Sequence, residues 1–193
     1  MATNSESVAA GRAPLDFYET PAWMTRCLLH HHPIVGSVLE CCSGRDAITR
    51  VLQEAGCAVT TNDINPDHPA QTHLDAAKRT PFWLSVGPVD WVVTNPPFLQ
   101  ALPIIQNTLE HASFGVIMLL RKSFLEPTGV LGRPKPGDRG PWLEAHPPTG
   151  IIGLPRHSFR GTGSDSQSCD WMVWDKRPEA TPFIVIDHHA ERR

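Results

Sequence analysis

Asn95, Pro96, Pro97 and Phe98 form the tetrapeptide whose residue types and spacing best suit chemistry on a planar amino group. An amino group conjugated with a ring, or an amide NH2, has a delocalised lone pair and is a poor nucleophile. The Asn95 side-chain oxygen and the Pro96 carbonyl can each accept one of its hydrogens, favouring a geometry that frees the lone pair. Phe98 offers a ring face on which a base can stack. Pro96 and Pro97 hold φ at about −65° and forbid further strand pairing, so these groups sit on a stiff turn. The other reading of the same residues is a strand-terminating turn with a core phenylalanine.

The elements around this turn follow from periodicity. Trp91, Val92 and Val93 read as a buried strand, and in open α/β sheets ligands bind beyond the carboxyl ends of strands. Val35–Glu40 reads as an earlier strand running into a turn of small residues that includes Cys41, Ser43, Gly44 and Asp46. A helix follows to about Gly56, a natural residue just past a helix end. Strand, small turn and helix together bring backbone N–H groups and a helix N-terminus to a ligand. Cys57–Asp63 is the next strand. Its terminal Asp63 lies 19 positions after Gly44, with Ile64 beside it, where a carboxylate commonly binds ribose hydroxyls.

Thr20 and Pro21 predict an N-cap and first helical residue for a helix over 21–31. Leu99–His111 carries an amphipathic helical pattern, and Phe114–Leu120 reads as a fully buried strand. Trp142–His146 predicts one helical turn. Gly150–Leu154 and Cys169–Asp175 are further strands, and Phe183–Asp187 adds an edge strand. Pro81–Pro88 is a connector in which Trp83 and Leu84 pack. Helices alternating with buried strands indicate an α/β fold with a doubly wound, mostly parallel sheet.

Composition narrows the class. The chain has 193 residues, enough for one domain with a substantial core, expected over 14–187 after a disordered segment at 1–13. No apolar run approaches the ~20 residues needed to span a bilayer, and the stretch Met1 to Arg12 is polar and small, with no signal-peptide core. Five cysteines without a Cys-x-x-Cys pair imply reduced thiols and a cytoplasmic setting. The net charge of −3 is unevenly spread: residues 121–160 carry 7 basic and 3 acidic side chains, +4 in an otherwise acidic protein. That block coincides with a Pro/Gly-rich loop at 121–150, an expected substrate-facing element. Lys122, Arg133, Lys135, Arg139, Arg156 and Arg160 are its candidate phosphate contacts; scattered charges on a solvated loop are the rival reading. The runs His30–His32 and His188–His189 lack a second ligand set at supporting spacing, so no metal is expected.

The ordered set of elements resembles the S-adenosylmethionine-dependent amino-methyltransferases, whose catalytic signature is (Asp/Asn/Ser)-Pro-Pro-(Tyr/Phe/Trp). Tyr18, Thr20 and Pro21 match the Tyr-x-Thr-Pro element that lies against the methionine part of the cofactor in the adenine enzymes. Glu40 and Gly44 match the acidic residue and first glycine of (Asp/Glu)-x-x-x-Gly-x-Gly, and Asp46 departs from the second. The replacement tolerates unusual backbone angles, and its side chain is expected to cap the helix. By the same resemblance His73–Ala76 is a short third strand whose Asp75 bonds the cofactor's adenine. The phrases Ser-Phe-Leu-Glu-Pro-Thr, Trp-Leu-x-x-His-Pro-Pro and Leu-Pro-Arg-x-Ser-Phe resemble small phage or prophage DNA adenine methyltransferases over residues 14–176.

The resemblance implies a Rossmann-like class I methyltransferase with a seven-stranded sheet and helices on both faces. It implies S-adenosylmethionine as cofactor, S-adenosylhomocysteine as product, and DNA, double- or single-stranded, as partner in a bacterial or phage-infected cell. Its expected reaction is N6-methylation of adenine with short or relaxed sequence preference. RNA base methylation, methylation of a protein glutamine amide and non-catalytic nucleic-acid binding are the alternatives.

Overall fold

In the computed structural model, residues 18–79, 85–126, 138–157 and 168–188 are described. Seven strands form one sheet: β1 (Ser37–Glu40), β2 (Ala58–Thr61), β3 (Val89–Thr94), β4 (Ala112–Arg121), β5 (Gly150–Gly153), β6 (Cys169–Asp175) and β7 (Phe183–Ile186). Their spatial order is β2-β1-β3-β4-β6-β5-β7. β1 to β4 run parallel, β6 runs antiparallel to both β4 and β5, and β7 lies parallel to β5. The α-helices described over their full length are α1 (Ala22–His31), α2 (Ala47–Glu54), α3 (Ala101–His111) and α4 (Gly140–Ala145). The last starts two residues before the expected turn at Trp142.

Side-chain alternation in buried strands produces two cores, one on each face. Val38, Trp91, Val93, Ile117, Leu119, Trp171 and Val173 face Met24, Cys27 and Leu28 of α1 and Ile48 and Leu52 of α2. Leu39, Val92, Val116, Met118, Leu120, Met172 and Trp174 face Ala101, Ile104 and Ile105 of α3 and the α4 residues Trp142 and Leu143. Both faces of the sheet are therefore covered, which explains why its strands read as continuous apolar runs rather than alternating ones. α2 ends as Gly56 predicts. Its φ is +90°, its N–H donates to Gln53 O at 2.9 Å, and Cys57 N–H donates to Leu52 O at 3.0 Å. This paired closure satisfies two carbonyls that the helix itself leaves open.

Two expectations are corrected. The segment His73–Ala76 is not a strand; only an isolated parallel bridge joins Asn62 to Thr72. The Asn62 side chain replaces the missing ladder. Its Nδ2 donates to Cys41 O (2.9 Å) and Leu74 O (3.0 Å), and its Oδ1 accepts from the Thr72 hydroxyl (2.8 Å) and Leu74 N–H (3.0 Å). A fully buried amide with all these partners holds the segment without backbone pairing. Seven strands are reached because β7 forms at the opposite edge. Thr20 likewise does not cap α1: the capping position is Pro21, with no side-chain cap bond. The segments 1–13 and 161–167, Trp83, Leu84, Arg133, Lys135 and Arg160 lie outside the described residues.

Candidate functional site

The chain passes from β1 outward to β2 and returns to β3 on the other side of β1. This reversal opens a crevice at the carboxyl ends of β1 and β3. The turn after β1 and the turn after β3 both emerge there.

The first turn is held by its neighbours. Ser43 N–H donates to Asn62 O (2.9 Å), Gly44 N–H to Asp63 Oδ2 (2.7 Å), and Cys42 N–H to the buried Thr94 hydroxyl (3.2 Å). Gly44 has φ +55°, and Asp46 adopts the left-handed conformation at φ 61°, ψ 27°. Among the described residues Asp46 is the one non-glycine with positive φ. The position keeps glycine-like geometry although the residue has changed, because Asp enters this region more readily than most residues. The expected side-chain cap is absent: Asp46 occupies the capping position of α2 without a cap bond. Burial raises its carboxyl, with Arg50 and Ser43 acting in the opposite direction and Asp63 adding to the rise.

Glu40 closes β1 from inside. It is buried, accepts the Thr49 hydroxyl on Oε2, and burial raises its carboxyl well above the usual range against that hydrogen bond.

Asp63 stands at the end of the neighbouring strand as expected. Its Oδ1 accepts Asn65 N–H at 2.9 Å and lies 3.1 Å from His68 Nδ1. With Oδ2 taken by Gly44, each oxygen keeps further acceptor capacity. Asp63, Ile64, Asp75, Cys41 and Pro97 all line a cavity of about 120 Å³, whose apolar walls include Leu74, Ala76 and Ile104. Apolar walls with one carboxylate from just past β2 and a second from the 73–76 segment offer a nucleoside both stacking surface and acceptors. A smaller cavity of about 30 Å³ is lined by Tyr18, Thr20, Glu40, Ser43, Gly44 and Asn95, and Cys42 lines both. The two cavities thus share the β1 turn as a wall and bring most of the sequence-predicted cofactor residues together. Pro21 faces a different, open groove with Arg26, Arg50 and Glu54.

Asn95 is the best-oriented side chain of the site. Its Nδ2 donates to Tyr18 O at 3.1 Å and to the Thr20 hydroxyl at 3.0 Å. A backbone carbonyl can only accept, so this contact assigns the amide: nitrogen toward Tyr18, oxygen on the other side. Both amide hydrogens are engaged, which leaves Oδ1 as the side chain's acceptor for an incoming group. Pro96 is buried, and Pro97 O accepts Gln100 N–H at 2.8 Å, fixing the turn into α3.

Phe98 already has company. Its ring stacks with Tyr18 (centroids 6.4 Å, planes 22° apart), and the Arg121 guanidinium lies 4.3 Å from its centroid. Arg121 closes β4, and its place here was signalled in the sequence only by its sign of charge. Asn62, Thr94 and His68 also escaped the sequence reading as site residues; their pairings, across 12, 52 and 5 positions, join separate segments and are not carried by local pattern.

The candidate phosphate contacts divide. Lys122 lies 3.5 Å from Asp170 and is half-exposed. Arg139 donates through Nε and Nη2 to the carbonyls of Phe124 and Ser123, closing the short helical turn Lys122–Leu125 against α4. Arg156 is exposed. Among the described residues no helix is long and apolar enough to cross a membrane.

No protein-family model matches this sequence, and no curated protein does. Solved structures match in three dimensions. A Streptococcus thermophilus protein provisionally described as a hemolysin aligns with a TM-score of 0.59 at 11% identity, over 94% of this chain and 74% of its own. A Lactococcus lactis protein with the same provisional description gives 0.57 at 12%, over 91% and 95%. Atu636 from Agrobacterium tumefaciens, described as a predicted O-methyltransferase, gives 0.51 at 13%, over 88% of each chain. The fold is the Rossmann-like fold of the class I methyltransferases. The likeness is one of fold.

Proposed function

We propose that this protein transfers a methyl group from S-adenosylmethionine to the N6 amino group of adenine in DNA. The observation that carries the reading is the locked Asn95 amide, with its nitrogen held by Tyr18 and Thr20 and its oxygen left to accept. Asp63 and Asp75, which line one cavity, would hold the adenosine part of the cofactor, Asp63 accepting from ribose hydroxyls and Asp75 from the adenine amino group. Tyr18, Thr20 and Gly44, which line the smaller cavity, would hold the methionine part. When bound, the cofactor supplies a methyl group made electrophilic by its sulfonium.

The residues of this chain do the positioning. Asn95 Oδ1 and the Pro96 carbonyl accept the two hydrogens of the target amino group, which turns its lone pair out of conjugation. Phe98 stacks on the base after it leaves the helix. In-line transfer from a held geometry needs orientation more than a strong base. DNA as the substrate rests on the sequence resemblance and on the basic segment 121–160 that begins at the end of β4.

The test is nucleoside mass spectrometry after incubating the protein and S-adenosylmethionine with unmethylated DNA and, separately, with RNA. N6-methyldeoxyadenosine that disappears in Asn95→Ala is the expected result. Product confined to RNA moves the substrate class, and no product in either overturns the reading.

A further inference from the structure

Cys27 and His31 meet Asp187 just past β7, the edge strand at the opposite side of the sheet from β2. Cys27 and His31 are four positions apart on α1, which places them on one helix face. Asp187 directly follows β7, and its own N–H donates to Gly153 O at 2.9 Å, which seats it against β5. Its Oδ2 lies 3.3 Å from Cys27 Sγ and 2.9 Å from His31 Nε2. One ligand atom from each residue lies within 4.8 Å of the others. The Cys27 side chain is buried, and the Asp187 and His31 side chains are 2% and 19% exposed.

We propose that these three residues bind a zinc ion. Thiolate, imidazole nitrogen and carboxylate are the three protein donor types that zinc takes, and three of them leave one tetrahedral position for water. The spacing fits. Zinc bonds of about 2.0 Å to N and O and about 2.3 Å to S place tetrahedral ligands about 3.3 Å (N to O) and about 3.5 Å (S to O) apart. The observed pairs need to open by only a few tenths of an ångström, a shift that the partly exposed His31 ring can supply.

The electrostatics favour the ion as well. A thiol is a weak donor, so a deeply buried carboxylate gains little from Cys27 S–H. Zinc replaces the thiol proton, which leaves to the buffer, and takes the His31 Nε2 lone pair in the tautomer that carries the ring proton on Nδ1, so that two anionic ligands and a neutral imidazole surround a dication. The ion would tie β7, the last strand, to α1, the helix that begins just after Thr20. It takes no part in the amino-group chemistry proposed above.

The test uses the full-length protein after chelator treatment and dialysis. Titration with Co2+ should produce one equivalent of bound metal with a thiolate-to-cobalt charge-transfer band, displaced by Zn2+. Cys27→Ser should abolish the band, and His31→Gln and Asp187→Asn should weaken binding, with each variant's fold checked by circular dichroism. Cys57→Ser, a buried thiol outside the cluster, should retain the band. Zn2+ should raise the melting temperature of the wild type and not that of Cys27→Ser. Absence of the band in the wild type, or a band and thermal shift that survive Cys27→Ser, would overturn the site and leave a hydrogen-bonded clamp.

Discussion

The Thr20 hydroxyl accepts a hydrogen bond from Asn95 Nδ2 at 3.0 Å across 75 positions of sequence. With Tyr18 O it fixes which way the Asn95 amide faces. A residue expected to start a helix instead orients the side chain that the proposed chemistry depends on.

Thr20→Val keeps the shape and removes that acceptor. Asn95 retains only the Tyr18 carbonyl, and loss of about 1.4 kcal/mol of orientation corresponds to about a tenfold fall in rate. The fall should appear in kcat, with Thr20→Ser close to wild type. Asn95→Asp should do worse than Thr20→Val, because a carboxylate oxygen then faces the Tyr18 carbonyl with no hydrogen between them. Methyl-transfer kinetics and thermal melts on the three variants check the order.

Glu40 makes stability depend on pH. Burial raises its carboxyl well above the usual range, with the Thr49 hydrogen bond opposing in part. The folded chain keeps this proton at pH values where the unfolded chain has lost it. The contribution is therefore complete below the ordinary glutamate value of about 4.3 and is lost as pH rises through the folded value. Glu40→Gln keeps a hydrogen-bonding partner for Thr49 and has no proton to lose. Its melting temperature should gain on the wild type steadily as pH rises from about 4.3; a pH-independent difference would contradict the assignment.

Asp46 holds a left-handed backbone at φ 61°. Glycine enters this region without a Cβ clash, whereas alanine bears a cost of about 1 kcal/mol and has no side-chain polarity to ease it. Asp46→Gly should therefore be more stable than Asp46→Ala by about that amount, read from denaturant midpoints at unchanged m-value.

Asn62 holds the segment that carries Asp75. Asn62→Leu leaves the Cys41 and Leu74 carbonyls, the Leu74 N–H and the Thr72 hydroxyl without this partner. A loss on the order of 3 kcal/mol is expected. Faster amide hydrogen exchange over residues 72–76 should accompany it, together with weaker nucleoside binding.

Arg121 lies on the Phe98 ring where a base would stack. In the proposed reaction a base takes that face and the guanidinium moves to a phosphate. Arg121→Ala should weaken DNA binding and reduce the slope of log affinity against log salt by about 1. Fluorescence anisotropy across a salt series checks it; an unchanged slope rules out the phosphate role.

The sequence by itself determined what local pattern and turn chemistry can carry. Buried strands were legible at 91–93, 114–120 and 169–175 because apolar runs must be covered on both faces. The end of α2 was legible in Gly56, since few residues adopt φ near its +90°. The order of turn, acidic strand end and Asn-Pro-Pro-Phe fixed where a crevice would lie. Tertiary structure alone decided which groups meet in it. Thr20 faces Asn95 instead of a helix end, Asn62 takes the place of a strand ladder, and Arg121 covers Phe98. It also joined Cys27 and His31 to Asp187, 156 positions beyond His31, where the histidine runs had shown no second ligand set. Hydrogen-bond and ligand geometry is satisfied in space by whichever donors the packed elements bring within about 3 Å. Sequence spacing records only the partners that share an element.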